Sequence, residues 1–203
     1  VAHPDPTDGL AIAKLISSYK VTIMCGTSTF FRLYTKNQKI HSLMFESLRL
    51  VVSGAEKLRE DVRIEFKKRF AKDILEGFGT TETSPVATCN LPDVLSPDFS
   101  IQKGQKAGTV GMAIPGTTIK VVDPVTFKEL KVNEEGMILI SGIQVMKGYL
   151  NNDEKAKEVI KIINGRTYYI TGDKGRIDED GFLTIVDRYS RFAKLAGEMI
   201  SLS

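Results

Sequence analysis

Residues 74–83 read Ile74-Leu75-Glu76-Gly77-Phe78-Gly79-Thr80-Thr81-Glu82-Thr83. The stretch begins as a short apolar strand and then breaks into two glycines around an aromatic side chain, followed by hydroxyls and a carboxylate. Glycine lets a backbone approach a ligand closely, and a carboxylate is a hard oxygen ligand for Mg²⁺. At the carboxyl edge of a parallel sheet, such a loop is typical of a ligand site. The alternative is a tight turn in which Thr80 and Thr81 bond only to nearby backbone groups.

The composition of the 203-residue chain is that of an ordinary globular protein, with 42% hydrophobic and 26% charged residues. The net charge of +3 predicts no concentrated basic patch, so nucleic acid is not an expected partner. We expect Cys25 and Cys89 to be small buried residues in a reducing compartment, because their spacing fits no metal site. No apolar run approaches the roughly 20 residues of a membrane-spanning helix.

Helices and strands alternate through the first half of the chain. Helical spacing of apolar residues after a cap at Thr7 or Asp8 predicts a first helix. Residues 21–25 and 48–52 are β-branched and apolar, which predicts buried strands. Apolar residues four apart in 58–70, with basic residues opposite, predict an amphipathic helix. This alternation predicts a mostly parallel α/β sheet.

Two polar loops leave successive predicted strands, at residues 53–56 and 77–82. If these strands are neighbours, the loops face each other, and a purine fits between the Gly54-Ala55 backbone and Phe78. Two unrelated connections are the alternative.

After Pro85 the pattern of predicted elements changes to short β-rich segments separated by turns. The predicted strands cover residues 117–122, 136–141, 168–171, 175–177 and 182–186. One helix, capped by Asn152 or Asp153, is predicted to run through Ile163 with its apolar residues on one side. This spacing predicts a small barrel or a curled antiparallel sheet.

Two polar clusters stand out in the second half. Asp173 ends Thr171-Gly172-Asp173 and could accept two hydrogen bonds from a ribose diol, although an Asp in a turn is the alternative. Arg188 could donate to ribose oxygens or a phosphate, with Asp187 orienting it. The alternative is a surface ion pair that contributes at most about 1 kcal/mol.

Together these motifs resemble the adenylate-forming (AMP-binding) superfamily, which includes acyl-CoA synthetases, luciferases and the adenylation domains of peptide synthetases. The segments that resemble its motifs, in its order, are 77–82, 108–116, 136–149, 171–173 and 187–197. Residues 191–201 look closest to the bacterial acyl–acyl-carrier-protein synthetases, some of which are fused to a 2-acylglycerophosphoethanolamine acyltransferase.

The resemblance implies an ATP-dependent ligase with ATP/AMP and Mg²⁺ as cofactors. ATP and a fatty acid would give an acyl-adenylate and pyrophosphate, and the thiol of acyl carrier protein or coenzyme A would then take the acyl group. A fatty acid is favoured over an amino acid because the Asp with which peptide synthetases bind the amino group cannot be placed. Adenylation is catalysed mainly by positioning and charge neutralisation.

The resemblance also implies roles for individual residues. The nucleotide-binding set is Ser53, Gly54, Ala55, Glu56, Gly77, Phe78, Gly79, Thr80, Asp173 and Arg188, of which 53–56 and Phe78 frame the adenine and Asp173 and Arg188 hold the ribose. Phe78 replaces the usual Tyr of the family.

Three implied catalytic residues and one hinge complete the set. Thr81 would contact the α-phosphate, Glu82 would bind Mg²⁺, and Lys194 would serve the second half-reaction. Ser190 occupies the hinge position, where the family usually has Asp or Lys.

The expected fold class is α/β: a parallel α/β subdomain in residues 1–90, a small distorted β-barrel subdomain in 91–186, and a hinge in 187–203 to a missing C-terminal domain. Because the chain starts at Val1 rather than Met, we expect a cut piece of a longer protein. The family's phosphate loop and the catalytic lysine of its C-terminal domain would then lie outside the chain.

The cut piece is therefore expected to be an inactive cytoplasmic fragment, with its parent protein associated with the inner face of the bacterial cell membrane. The alternative function is a non-catalytic nucleotide- or acyl-binding module that retains the fold.

Overall fold

The computed structural model describes residues 2–189, 192–195 and 198–201. The chain forms two compact units, one ending at Gly77 and the other beginning at Phe78. No helix in these ranges combines the length and the apolar character needed to cross a bilayer.

The first unit alternates helices and strands. In order, its elements are α1 (Gly9–Tyr19), β1 (Ile23–Gly26), α2 (Ser28–Lys36), β2 (Leu50–Ser53), α3 (Glu60–Phe70) and β3 (Ile74–Phe78), the last of which ends at the start of the second unit. The strands are parallel in the order β1-β2-β3, with Met24 beside Val51 and Val51 beside Ile74. The predicted parallel α/β arrangement is confirmed.

Local signals determine where the helices begin and end. The Asp8 carboxylate accepts a hydrogen bond from the Ala11 N–H at 3.0 Å, so Asp8 rather than Thr7 is the N-cap of α1. Helix α3 has acidic residues in its first turn and basic residues in its last, which suits the helix dipole. It ends at Phe70, and the residue that caps it, Ala71, has a left-handed φ of 53°.

The core of the first unit lies between the helices and one face of the sheet. Buried residues from all three helices pack with Met24, Val51 and Ile74 on that face. On the other face Ile23 and Cys25 are exposed. The expectation of a fully buried strand and a buried Cys25 is therefore wrong, because these helices cover only one side of β1. Cys89, in the second unit, is partly buried.

The second unit is mostly β-structure. Its elements are β4 (Thr88–Cys89), β5 (Val94–Leu95), β6 (Ile101–Gln102), β7 (Met112–Ala113), β8 (Thr117–Val122), β9 (Gly136–Gly142), α4 (Asp153–Val159), β10 (Ile160–Ile163), β11 (Arg166–Ile177), β12 (Leu183–Arg188), β13 (Phe192–Leu195) and β14 (Glu198–Ser201). The main sheet runs β10-β11-β9-β8, with β12 also paired to β11, and all these pairs are antiparallel. The predicted antiparallel second half is confirmed.

Two predicted elements of the second unit are wrong. The helix ends at Val159 and not at Ile163, because the β-branched residues of β10 pair with β11 instead. The turn between these strands is Asn164-Gly165, both with positive φ, which is the preferred two-residue hairpin turn. Strand β11 is continuous and not split in two, because Gly172, at φ 74°, lets it bulge and continue.

Strand β9 is buried on both faces and organises the core of the second unit. Ile138 and Ile140 belong to one apolar cluster, and Met137 and Leu139 to another. An apolar run without alternation is what burial on both faces requires.

The division of the chain at Gly77 lies earlier than the predicted boundary at residue 90. Strand β4 falls in the second unit because it pairs with β7, beyond that boundary. The functional assignment of residues 1–90, 91–186 and 187–203 stays a prediction.

Candidate nucleotide-binding site

In the first unit, the carboxyl ends of β2 and β3 lie side by side. Ser53 pairs with Glu76 in the sheet register, and a Cβ on Gly54 would lie 3.8 Å from the Gly77 carbonyl oxygen. The two strands are therefore neighbours, which the sequence had left open. The Ser53 hydroxyl is buried and hydrogen-bonds to no atom among the described residues. A buried polar group without a partner is costly, so this hydroxyl suits a site that a ligand completes.

Glu56, in the loop after β2, has its carboxylate engaged within the protein. It accepts a hydrogen bond from the Thr29 N–H at 2.6 Å, at the start of α2, and this bond lowers the pKa of Glu56. The backbone next to it is unusual, since Ala55 has a left-handed φ of 67°. Glu56 lies on a cleft of about 250 Å³ lined by Ser28, Thr29, Arg32, Glu56, Lys57 and Arg59.

In the second unit, the turn that follows Phe78 is built by Thr83 rather than by the threonines before it. The Thr83 hydroxyl accepts from the Thr80 N–H at 2.9 Å and donates to the Thr80 carbonyl at 3.0 Å. Gly79 is needed for packing, because a Cβ there would clash with the Pro85 carbonyl. Thr81 is exposed. The local backbone is thus satisfied without the Thr81 hydroxyl, which suits contact with a ligand.

Glu82 is held by a loop that lies 67 residues further along the chain. The Tyr149 hydroxyl donates to Glu82 Oε1 at 2.7 Å, and the Met146 N–H donates to the Glu82 carbonyl at 2.8 Å. Partial burial raises the pKa of Glu82, but hydrogen bonds, of which the one from Tyr149 is the strongest, outweigh it and hold this pKa below its usual value. The same bond raises the pKa of Tyr149 to about 12.

Asp173 and Arg188 are brought together by strand pairing. They face each other in the β11–β12 register, and Arg188 Nε lies 3.2 Å from Asp173 Oδ1. Asp173 is buried, and its N–H donates to the Thr171 hydroxyl at 2.9 Å. Arg188 is exposed, and the Asp187 carboxylate accepts from its backbone N–H at 2.7 Å. A buried carboxylate beside an exposed guanidinium can accept from and donate to the same polar ligand.

Tyr169 connects these two groups within the second unit. Burial raises the pKa of its hydroxyl first, and the negative charges of Glu82 and Asp173 raise it further. One phenol therefore lies near both carboxylates. Sequence reasoning missed both Tyr149 and Tyr169 as site residues, although Tyr149 lies in the 136–149 segment and Tyr169 lies two residues before the 171–173 segment.

Three predicted site residues need separate comment. Phe78 is partly buried and packs against an apolar cluster that includes Ala87 and Leu183. Its stacking on adenine stays a prediction. Ser190 lies outside the described residues. Lys194 lies in β13, with its side chain outside the described part.

The donor set around Glu82 fits a Mg²⁺ that arrives with a nucleotide. Within the described ranges, no group of three or more His, Cys, Asp or Glu residues could hold a metal by itself. Mg²⁺ is usually bound by one or two carboxylates, with water and substrate phosphates completing its octahedron. Glu82 supplies such a carboxylate in its ionised form.

Comparison with protein families matches residues 1–150 to a family described as AMP-binding enzyme. Among curated proteins, the chain is 34% identical over 186 residues to the probable 4-coumarate–CoA ligase 2 of Dictyostelium discoideum, covering 90% of this chain and 31% of that protein. It is 32% identical over 193 residues to a long-chain-fatty-acid–CoA ligase of Salmonella typhimurium, covering 95% of this chain and 32% of that protein.

Solved structures show the same similarity. ATP-bound MatB from Rhodopseudomonas palustris matches with a TM-score of 0.76 and 30% identity, over 96% of this chain and 36% of that chain. A long-chain-fatty-acid–CoA ligase from Archaeoglobus fulgidus matches with a TM-score of 0.75 and 26% identity, over 89% of this chain and 37% of that chain. The chain thus spans about a third of the length of the relatives it matches.

Proposed function

Because this chain belongs to the AMP-binding enzyme family, we propose that it forms the nucleotide-binding part of an ATP-dependent acid–thiol ligase. In such a ligase the oxygen of a carboxylic acid attacks the α-phosphorus of ATP, and pyrophosphate leaves. The acyl-adenylate then reacts with a thiol, which releases AMP.

One observation carries this proposal: the pairing of buried Asp173 with exposed Arg188, with Tyr169 near both Asp173 and Glu82. In the proposed site, Asp173 accepts hydrogen bonds from the ribose hydroxyls and Arg188 donates to the ribose. The Thr81 hydroxyl donates to an α-phosphate oxygen.

Glu82 would hold Mg²⁺, which when bound neutralises phosphate charge during the displacement. Lys194 would assist the thiol step, and Ser190 would lie at the hinge between the two half-reactions.

The loop after β2, residues 53–56 of the first unit, would contact the adenine. Two observations support this part. The ends of β2 and β3 are adjacent in the first unit, and the Ser53 hydroxyl is buried without a protein partner among the described residues. Neighbouring strand ends at a sheet edge are where open α/β folds bind nucleotides.

We further propose that the acid is a fatty acid and the thiol that of coenzyme A or an acyl carrier protein. The names of similar proteins include long-chain-fatty-acid–CoA ligases and 4-coumarate–CoA ligases. The carrier-protein option rests on residues 191–201 alone. Two further proposals rest on the same residues: that the parent protein is fused to a phospholipid acyltransferase, and that it associates with the membrane.

Calorimetric titration of the 203-residue chain with Mg²⁺-ATP tests the nucleotide site. We expect saturable binding that Asp173→Ala weakens at least about tenfold, since the buried carboxylate is the proposed ribose ligand. Arg176→Ala is the matched control, because Arg176 lies on the same strand and pairs with Glu135. Absence of saturable binding by the unmodified chain, or equal binding by Asp173→Ala, contradicts the proposal.

Activity separates the ligase from a non-catalytic nucleotide- or acyl-binding module. The isolated chain should show background ATP–pyrophosphate exchange, and robust exchange would overturn the proposed inactivity of the piece. The parent protein, given ATP, a fatty acid and coenzyme A or carrier protein, should form the acyl thioester. Nucleotide binding without thioester formation on any member of a fatty-acid panel favours the module.

A further inference from the structure

The loop formed by residues 143–150 contributes to the Glu82 site. We propose that Tyr149 is a positioning residue, whose hydroxyl orients the Glu82 carboxylate toward the Mg²⁺ that accompanies ATP. This inference rests on the proposed function. It assigns to Tyr149 the task of orienting another side chain, Glu82.

The loop is joined to Glu82 at two points. The Met146 N–H donates to the Glu82 carbonyl oxygen at 2.8 Å, which fixes the main chain of the turn. The Tyr149 hydroxyl donates to Glu82 Oε1 at 2.7 Å, which fixes the end of the side chain. With both ends held, the carboxylate can adopt few orientations.

The chemistry of this contact suits a metal ligand. An ionised carboxylate has about four lone-pair sites. The Tyr149 phenol occupies one of them, and the side chains of Thr80 and Tyr169 also hydrogen-bond to the carboxylate, which still leaves a site for a cation. Carboxylates that bind metals are themselves hydrogen-bonded by outer groups. Loss of such a group typically weakens metal affinity by about 10- to 100-fold.

Packing alone does not account for the contact. Ile143 and Leu150, at the two ends of the loop, are 99% and 92% exposed, whereas Val145 between them packs against an apolar cluster. Val145 thus attaches the loop by apolar packing, while the contacts of the loop with Glu82 are specific polar bonds. Tyr149→Phe removes one of these bonds while keeping the ring.

The test compares ATP binding with and without metal in the 203-residue chain. In calorimetric titration with ATP in the presence of EDTA, the dissociation constant of Tyr149→Phe for ATP should be within about twofold of that of the unmodified chain. The Mg²⁺ concentration that gives half of the metal-dependent gain in ATP affinity should rise about tenfold. Tyr19→Phe is the matched control, since Tyr19 is 67% exposed in the first unit and should change neither value. Circular dichroism should show all variants equally folded.

A double-mutant cycle shows whether Tyr149 acts through Glu82. Glu82→Gln should remove most of the metal-dependent gain, and adding Tyr149→Phe should change it no further. Equal weakening of ATP binding by Tyr149→Phe with and without Mg²⁺, or additive effects of the two substitutions, overturns the inference. Metal-dependent binding that Tyr149→Phe leaves intact refutes this inference alone. Absence of ATP binding by the unmodified chain removes the proposed function together with it.

Discussion

The interiors of the two units are filled with different kinds of side chain. In the first unit, the rings of Phe31, Phe45, Phe66 and Phe70 pack against one another, with centroids 4.6 to 6.1 Å apart. Among the described residues, the first unit buries three polar residues, Ser28, Thr35 and Ser53. The second unit also has apolar clusters, but within the described ranges it buries seven polar residues: Thr83, Thr88, Asn90, Thr109, Ser141, Thr171 and Asp173.

The buried polar side chains of the second unit tie separate segments together. Asn90 Nδ2 donates to the Thr109 carbonyl at 2.8 Å, and the Thr171 hydroxyl donates to the Ile138 carbonyl at 2.9 Å. Apolar packing is non-directional and tolerates swaps of similar volume, whereas a buried hydrogen bond needs one donor at one place. The first unit is therefore filled mainly by aromatic rings, whereas in the second unit buried polar contacts add to the apolar packing.

The largest expected effect tests the aromatic core. Phe66→Ala should lower the free energy of unfolding of the first unit by about 3–5 kcal/mol, because it leaves a cavity among three rings. Phe66 is 0% exposed, whereas Ile64 on the same helix is 55% exposed, so Ile64→Ala serves as the control. Denaturant unfolding and hydrogen exchange of the α3 amides measure the stability of both variants. A loss below about 1 kcal/mol would show that this core is not packed as described.

An intermediate effect tests the polar interior. Asn90→Leu, which nearly conserves volume, should still destabilise the second unit by about 1–3 kcal/mol, because it leaves the buried Thr109 carbonyl without its donor. It also removes the acceptor of the Lys106 N–H at 3.0 Å. The control is Gln102→Leu at an exposed position. Unchanged stability would mean that volume, and not hydrogen bonding, governs this unit too.

The smallest effect concerns pH and Tyr149. The bond to Glu82 raises the pKa of Tyr149 from 10.0 to about 12. The folded chain keeps this proton where the unfolded chain releases it, so the stabilisation is complete below pH 10 and is lost as pH rises towards about 12. Denaturant unfolding at several pH values in this window measures the free energy of unfolding. This free energy should fall more steeply with rising pH for the unmodified chain than for Tyr149→Phe.

The sign reverses for Glu82. Its pKa is lowered in the folded chain from 4.5, so its contribution is present above that value and lost as pH falls through the folded pKa. If the free energy of unfolding depends on pH in the same way for the unmodified chain and Tyr149→Phe, on both the acid and the alkaline side, the contact between Tyr149 and Glu82 is contradicted.

Periodic segments were predicted well from sequence. The strand at 74–78 and the strand at 117–122 have the predicted bounds, and the helix predicted in 58–70 runs from Glu60 to Phe70. The spacing of apolar residues along a helix or strand indicates whether one face or both faces are buried, and this spacing can be read from neighbouring residues alone. The segments 77–82, 171–173 and 187–188 were identified by their resemblance to the family's motifs, although 171–173 and 187–188 lie within β11 and β12 and not in loops.

Long-range pairing decided what these local patterns left open. Residues 160–163 continue a helical pattern, but β11 offers them strand partners, so the helix ends at Val159. Cys25 is exposed because the helices of its unit cover only the opposite face of the sheet. The bond between Tyr149 and Glu82 joins residues 67 apart. Sequence by itself indicated the α/β class, because propensity and periodicity act over a few neighbouring residues, and it indicated the family through the resemblance of its motifs. Tertiary structure alone selected the hydrogen-bond partners, because these depend on which distant segments the sheet brings together.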